Sequence, residues 1–144
     1  MNILILNFNV SGFAGDAKQP LLIAKGLIEL GHNVVYVVPD GDGWFFDENK
    51  SKKYAKIRKK LLDAKGQIIK IEGIPVLPIH CVSEKLGYYC PDATKIAKKI
   101  LPDYDVVYCL HWYYHLGMTF FKIADKFRVP FVIAAMAAFE KPAH

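Results

Sequence analysis

Hydrophobic residues along the chain fall into short continuous runs, separated by longer stretches in which apolar and polar positions follow helical spacing. The short runs predict strands at 2–8, 33–38, 67–71, 74–79, 105–110 and 131–137. Strands covered on both faces are apolar throughout. The longer stretches, where apolar residues recur every three or four positions, predict helices at 16–31, 47–64, 91–101 and 117–127. Strands that alternate with helices are typical of an α/β sheet.

This order of elements predicts one doubly wound α/β domain over residues 1–144, with a mainly parallel sheet of order 3-2-1-4-5 and helices on both faces. Asp16 is expected to cap the first helix and Gly31 to end it. The chain stops five residues after Phe139, with no helix after its last strand. Because such a strand would leave one sheet face bare, we expect a fragment or a missing partner.

Composition excludes several classes of protein. Hydrophobic residues make up 53% and charged residues 23% of the 144 residues, which excludes a disordered chain. The apolar run from Val129 to Phe139 is too short for the ~20 residues of a membrane-spanning helix. Met1 opens into an apolar strand without a basic leader, and three cysteines are too few for a disulfide framework. These features predict a cytoplasmic protein with reduced thiols.

The topology predicts where a ligand would bind. In doubly wound sheets ligands lie beyond the carboxyl ends of the strands, where the strand order reverses. Here that position lies between the first strand and strand 105–110, so loop 9–16 should meet segment 111–115. The aromatic residues of that segment are Trp112, Tyr113 and Tyr114. Their flat amphipathic rings either bind a sugar or another hydroxylated ligand, or close the upper rim of the core.

Two further features of this edge carry candidate chemistry. Gly12 and Gly15 precede a helix whose backbone N–H groups favour an anion. Their spacing lacks the G-x-G-x-x-G pattern of dinucleotide sites, which disfavours a dinucleotide-dependent oxidoreductase. His111 stands at the end of strand 105–110, where an imidazole could hydrogen-bond a sugar hydroxyl or stabilise charge on a reacting sugar. The alternative is a structural strand-end histidine.

Other polar residues are interpreted as structural. Asp40 follows the second strand in a turn, and His32 lies in a helix-to-strand turn at the opposite edge. The histidines and cysteines that the topology could bring together are His80, Cys81, Cys90, His111 and His115. No C-x-x-C or H-E-x-x-H motif accompanies them, so the sequence predicts no metal site.

Basic residues concentrate between Lys50 and Lys70, which hold nine of the nineteen lysines and arginines. The lysines that could contact a partner from this region are Lys50, Lys52, Lys53, Lys56, Lys59 and Lys60. Such a face is either solvated or contacts an anionic membrane at its cytoplasmic surface. No nucleic-acid-binding motif accompanies the charge, so nucleic acid is not an expected partner.

Five segments share a pattern with one enzyme group: AG at 14–15, GHNVVYVVP at 31–39, GIPV at 73–76, DVVY at 105–108 and VPFV at 129–132. In order and spacing they resemble the G-G, G-H-x-V-x-V, G-I-x-V, D-V-V-H and I-P-x-V segments of one domain. That domain is the Rossmann-like N-terminal domain of retaining GT-B glycosyltransferases, the group that includes glycogen and sucrose-phosphate synthases. The resemblance covers nearly the whole chain, with Ala14 in place of the first glycine and His111 one position beyond the group's H-x-H.

The resemblance implies half of a two-domain enzyme that transfers a sugar from a nucleotide-sugar to an acceptor. The residues implied at the site are the backbone of Gly12, Ala14, Gly15 and Asp16 for sugar and phosphate, His111 for catalysis, and Trp112, Tyr113 and Tyr114 for the acceptor. A missing C-terminal domain would hold most of the donor, so the isolated domain should be inactive. The implied co-substrate is the nucleotide-sugar, without metal or other cofactor. The alternative is a non-enzymatic nucleotide- or sugar-binding subunit that acts with a partner chain.

Overall fold

The computed structural model describes residues 1–8, 15–40, 52–82, 89–110, 112 and 114–134. Within these residues the chain forms six strands and four α-helices. The strands are β1 (Asn2–Leu6), β2 (Asn33–Pro39), β3 (Ile69–Ile71), β4 (Ile74–Ile79), β5 (Val106–Leu110) and β6 (Phe131–Ala134). The helices are α1 (Gly15–Glu29), α2 (Lys52–Asp63), α3 (Ala93–Ile100) and α4 (His115–Phe127), with a 3₁₀ turn at Leu101–Asp103.

The six strands form one sheet in the order β3-β4-β2-β1-β5-β6. All neighbouring strands are parallel except β3 and β4, which form an antiparallel hairpin at one edge. Glu72 and Gly73 turn this hairpin with φ angles of 50° and 80°, the positive values that a two-residue hairpin of type I′ requires. The structure confirms an α/β architecture with a mostly parallel sheet, which is compatible with a Rossmann-like fold.

Helices cover both faces of the sheet. Leu4 and Leu6 of β1 belong to a buried cluster with residues of α3 and α4, whereas Ile3 and Ile5 belong to a cluster with residues of α1 and α2. Burial on both faces explains why β1 is apolar at every position between residues 3 and 6. The edge strand β6 differs, because its Val132 and Ile133 side chains are 48% and 45% exposed.

Three predicted helix starts are wrong, the first being that of α3, which begins at Ala93 and not at Pro91. α1 begins at Gly15, so Asp16 is its second residue and not its N-cap. α4 begins at His115 and not at Gly117, because Tyr114 takes the extended N-cap conformation with φ −76° and ψ 156°. The predicted positions that lie outside the described residues are 47–51 and 135–137.

Candidate functional site

The carboxyl ends of β1 and β5 lie side by side in the middle of the sheet, where Leu6 pairs with Cys109. The other neighbour of β1 is β2, so the connections that follow β1 and β5 lead to opposite sides of the sheet. In doubly wound sheets this divergence opens a crevice beyond the strand ends. The switch-point edge, as we call it here, comprises Asn7, Phe8, Trp112 and Tyr114.

Two aromatic rings meet across the switch-point edge. The ring centroids of Phe8, which follows β1, and Tyr114, which precedes α4, are 5.1 Å apart with their planes tilted by 51°. Ring pairs with this separation and tilt attract each other. The Tyr114 carbonyl also accepts a hydrogen bond from the Met118 N–H (3.0 Å) as α4 begins. The ring contact therefore joins the segment after β1 to the segment after β5.

Asn7 fixes the end of β1 beneath these rings. It is 3% exposed and is the one polar side chain among the described residues that is buried. Its Nδ2 donates to the Tyr36 hydroxyl (2.9 Å), its backbone N–H donates to the Val37 carbonyl (3.1 Å), and its Oδ1 accepts from the Phe8 N–H (2.9 Å). The sequence prediction did not single out Asn7. The available signal was a polar residue at the end of an apolar strand, where burial demands hydrogen-bond partners.

Trp112 lies at the same edge with 47% of its side chain exposed. The first turn of α4 packs against its backbone, and the absence of a side chain at Gly117 permits this close approach. The exposed indole is thus carried by a segment that is packed against a helix, an arrangement suited to binding a flat ligand surface.

A second set of polar residues lies at the carboxyl ends of β2 and β4, beside the switch-point edge. The Oδ1 atom of Asp40 accepts a hydrogen bond from the Cys81 N–H (2.8 Å), and its Oδ2 lies 3.2 Å from the His80 Nδ1. The Asp40 N–H donates to the Ile79 carbonyl (2.9 Å). These bonds join the ends of two neighbouring strands and support the interpretation of Asp40 as a turn residue.

His115 contacts the segment that precedes α3. Its Nδ1 accepts a hydrogen bond from the Cys90 N–H (3.3 Å), and its ring centroid lies 4.7 Å from that of Tyr89. Burial, together with the positive charge of Lys122, lowers the pKa of His115 from its ordinary value. A ring nitrogen accepts a hydrogen bond only when it carries no proton, so the lowered pKa and the bond to Cys90 favour the same neutral state.

The structure describes part of the predicted ligand site. Trp112 and Tyr114 lie at the switch-point edge. Gly15 and Asp16 begin α1, whose amino end lies at the carboxyl edge of the sheet because the helix returns the chain to the start of β2. The predicted site residues that lie outside the described residues are Gly12, Ala14, His111 and Tyr113.

The structure confirms that α2 is amphipathic. Ile57 and Leu61 are buried against the sheet, and the lysines described as exposed are Lys56, Lys59 and Lys60. Lys52 and Lys53 belong to the first turn of α2, and Lys50 lies outside the described residues. The helix therefore carries a basic surface. Contact of this surface with a membrane stays a prediction.

Within the part of the chain that the structure describes, no group of three or more histidine, cysteine or acidic side chains is arranged to hold a metal ion. Of the residues considered for zinc, His80 lies against Asp40. Cys81 and Cys90 are hydrogen-bonded to each other through their side chains.

Two cavities differ in size and position. The described residues of the switch-point edge enclose about 10 Å³, room for about one water molecule. A cleft of about 540 Å³ lies at the opposite edge of the sheet. There Asn2 Nδ2 donates to the Asp103 carbonyl (3.0 Å), and His32 Nδ1 lies 3.0 Å from the Met1 amine. Because these bonds tie β1 to its neighbours, we interpret the polar lining of the larger cleft as structural.

No protein-family model matches the chain, and a search of curated proteins also finds no match. Among the described residues, no helix combines the length and apolar character needed to cross a membrane.

Proposed function

We propose that the chain is the N-terminal, acceptor-side domain of a retaining GT-B glycosyltransferase, which transfers a sugar from a nucleotide-sugar to an acceptor. The observation that carries the proposal is the contact between Phe8 and Tyr114, because it joins the segments after β1 and β5 at one crevice. Ligands of doubly wound sheets bind at such a crevice. The five resembling segments add sugar transfer as the chemistry.

In this proposal the domain supplies binding surfaces. Trp112 and Tyr114 present amphipathic rings to the acceptor, and the exposure of the indole supports that role. The amino end of α1, which begins at Gly15, offers backbone N–H groups and a positive dipole to the phosphate. The residues proposed to complete the site are Gly12, Ala14, Asp16, His111 for the sugar hydroxyls, and Tyr113.

A second domain is part of the proposal for a physical reason. Transfer requires that water is excluded and that the departing phosphate and the oxocarbenium-like sugar are stabilised. The cavity of about 10 Å³ at the switch-point edge is far smaller than the ~300–1,000 Å³ of small-molecule sites. As the resemblance implies, we assign the opposite wall and most of the donor site to another domain, and we expect no sugar transfer by this chain alone.

The proposal is tested by residue-resolved binding to the 144-residue chain. Isotope-labelled protein is titrated with UDP-glucose as the donor probe and with maltose as the acceptor probe, and chemical shifts are followed by NMR. We expect shifts at Phe8, Trp112, Tyr114 and the first turn of α1. A non-enzymatic sugar-binding subunit would give the same shifts. The two are distinguished by the coding sequence after His144: continuation into a second α/β domain supports the transferase, and a stop codon supports the subunit.

Two variants make the test specific. Trp112→Ala should abolish the response to maltose, because it removes the exposed indole from the switch-point edge. Leu30→Ala removes an exposed side chain next to α1 at the opposite edge and should bind both probes as the wild type does. Shifts confined to the cleft lined by Asn2 and His32, or UDP-glucose turnover by the chain alone, would contradict the proposal.

A further inference from the structure

Two of the three cysteines lie side by side at the carboxyl edge of the sheet. Cys81 follows β4, Cys90 precedes α3, and the Cys90 thiol is hydrogen-bonded to the Cys81 side chain. Neither cysteine is in a disulfide in the structure. From this contact we infer that Cys81 and Cys90 form a redox-active dithiol, which closes into a disulfide on reaction with a low-molecular-weight disulfide. The inference does not depend on the proposed function.

Separate anchors hold the backbone of each cysteine. The Cys81 N–H donates to the Asp40 carboxylate (2.8 Å), at the end of β2. The Cys90 N–H donates to His115 Nδ1 (3.3 Å), at the start of α4. Because the two anchors belong to different elements of the core, the fold itself holds the two cysteines near each other.

The residues next to the cysteines are also bonded directly. The Val82 N–H donates to the Tyr89 carbonyl (3.0 Å), so the chain leaving Cys81 lies against the chain entering Cys90. A disulfide requires Cα atoms about 4.4–6.8 Å apart, and hydrogen-bonded backbone segments provide this separation. We therefore expect bond formation to need rotation of the two side chains and little movement of the backbone.

Accessibility sets the order of the two exchange steps. Cys81 is half-buried, whereas Cys90 is buried and its pKa is raised by the hydrogen bond to Cys81, by burial and by the Asp40 charge. The Cys81 thiolate attacks the small disulfide RSSR, forming Cys81–S–SR and releasing RSH after proton transfer. Cys90 then gives up its proton and displaces the second RS⁻, which leaves as RSH. The protein loses two protons and two electrons, and RSSR gains them.

Cys109 serves as an internal reference. It is buried in β5, its Sγ lies 3.5 Å from the Leu110 carbonyl, and burial raises its pKa to about 12. A buried thiol is reached slowly by an external disulfide, and β2 and β1 separate β5 from β4 in the sheet, so Cys109 is not placed to attack an adduct on Cys81 as Cys90 is. The inference therefore predicts oxidation of one specific pair and not of all three cysteines.

The test exposes the folded 144-residue chain to glutathione disulfide, blocks the remaining thiols by alkylation after unfolding, and maps the peptides by mass spectrometry. We expect a linked peptide pair containing Cys81 and Cys90, the loss of two hydrogen atoms, and alkylated Cys109. The oxidised protein should melt at a higher temperature than the reduced protein, since the disulfide restricts the unfolded chain. In urea, where the native contacts are lost, the pairing should become mixed.

Three variants separate the outcomes. Cys109→Ala should form the same link as the wild type, Cys81→Ser should leave Cys90 reduced, and Cys90→Ser should stop at a stable glutathione adduct on Cys81. In the wild type, a lasting glutathione adduct on Cys81, a disulfide between two chains, unreacted cysteines in excess oxidant, or a lower melting temperature after oxidation would each overturn the inference.

Discussion

Gly117 and Trp112 make a backbone contact that leaves no room for a side chain. A Cβ atom on Gly117 would lie 2.8 Å from the Trp112 Cα and 2.9 Å from its carbonyl oxygen. Because both are backbone atoms, the clash is relieved only if the Trp112 segment or the first turn of α4 moves, and packed interiors resist such movement. The position of Trp112 at the switch-point edge thus depends on a glycine in the neighbouring helix.

Substitution of Gly117 should therefore lower the stability of the protein and shift Trp112 at the switch-point edge. We expect Gly117→Ala to lower the free energy of unfolding by ~1–3 kcal/mol, the usual cost of overpacking, and to change the fluorescence of Trp112. The matched control is Gly26→Ala in α1, where an added Cβ meets nothing within 4 Å. That variant should gain about 0.5–1 kcal/mol, because alanine favours the helix. Urea unfolding followed by circular dichroism measures both, and equal effects would contradict the assigned contact.

The hydrogen bond between Asn7 and Tyr36 should couple the strand end to the core. Tyr36→Phe removes the hydroxyl that accepts from Asn7 Nδ2 at 2.9 Å in a buried site, which should cost ~1–3 kcal/mol. A double-mutant cycle with Asn7→Ala isolates the pair, and we expect a coupling energy of roughly 0.5–3 kcal/mol. Additive effects in urea unfolding would show that the bond contributes nothing to the stability of this edge.

The strands of the sheet were predictable because a strand that is buried on both faces is a run of consecutive apolar residues. Ile3, Leu4, Ile5 and Leu6 are consecutive in the sequence, and each is buried, so the apolar run alone indicates a covered strand. The Asn7–Tyr36 bond joins residues 29 apart. No local pattern specifies such a partner, because the pairing depends on strand order and register, which arise only when the sheet assembles.

In the candidate site, too, some features follow from the local sequence and others depend on tertiary contacts. The position of Trp112 after β5 follows from strand ends and topology, which the sequence predicts. The start of α4 could not be predicted in this way. In the sequence Gly117 indicates a helix boundary, whereas in the structure it lies inside the first turn and permits close approach to Trp112. A glycine needed for a tertiary contact cannot be distinguished locally from one that ends or begins a helix.

The end of α4 offers a stabilising substitution. Arg128 caps the helix in the left-handed region, with φ 57° and ψ 36°, a conformation that costs a non-glycine residue about 1–2 kcal/mol. Arg128→Gly relieves this cost, but glycine has more freedom in the unfolded chain, which offsets part of the gain. The variant should therefore raise the free energy of unfolding by up to about 1 kcal/mol. The control Lys126→Gly, within the last turn, should lower it by about 1 kcal/mol. Thermal unfolding of both variants checks the opposite signs.

His115 should make stability depend on pH. Burial and the charge of Lys122 lower its pKa in the folded protein, whereas in the unfolded chain it takes up a proton near ~6.5. As the pH falls through about 6.5, the unfolded state binds the proton first, so the free energy of unfolding decreases until the folded-state pKa is reached. The stabilisation is complete above the unfolded pKa and is lost on acidification.

His115→Asn tests this linkage, because an asparagine side chain oxygen can accept the hydrogen bond from the Cys90 N–H but does not titrate. We expect the free energy of unfolding of the wild type to decrease relative to that of the variant as the pH is lowered from about 7 to about 5. Lys122→Gln should raise the pKa of His115, followed by NMR, because it removes the second cause of the shift. A pH-independent difference would mean that the burial of His115 has no energetic consequence for folding.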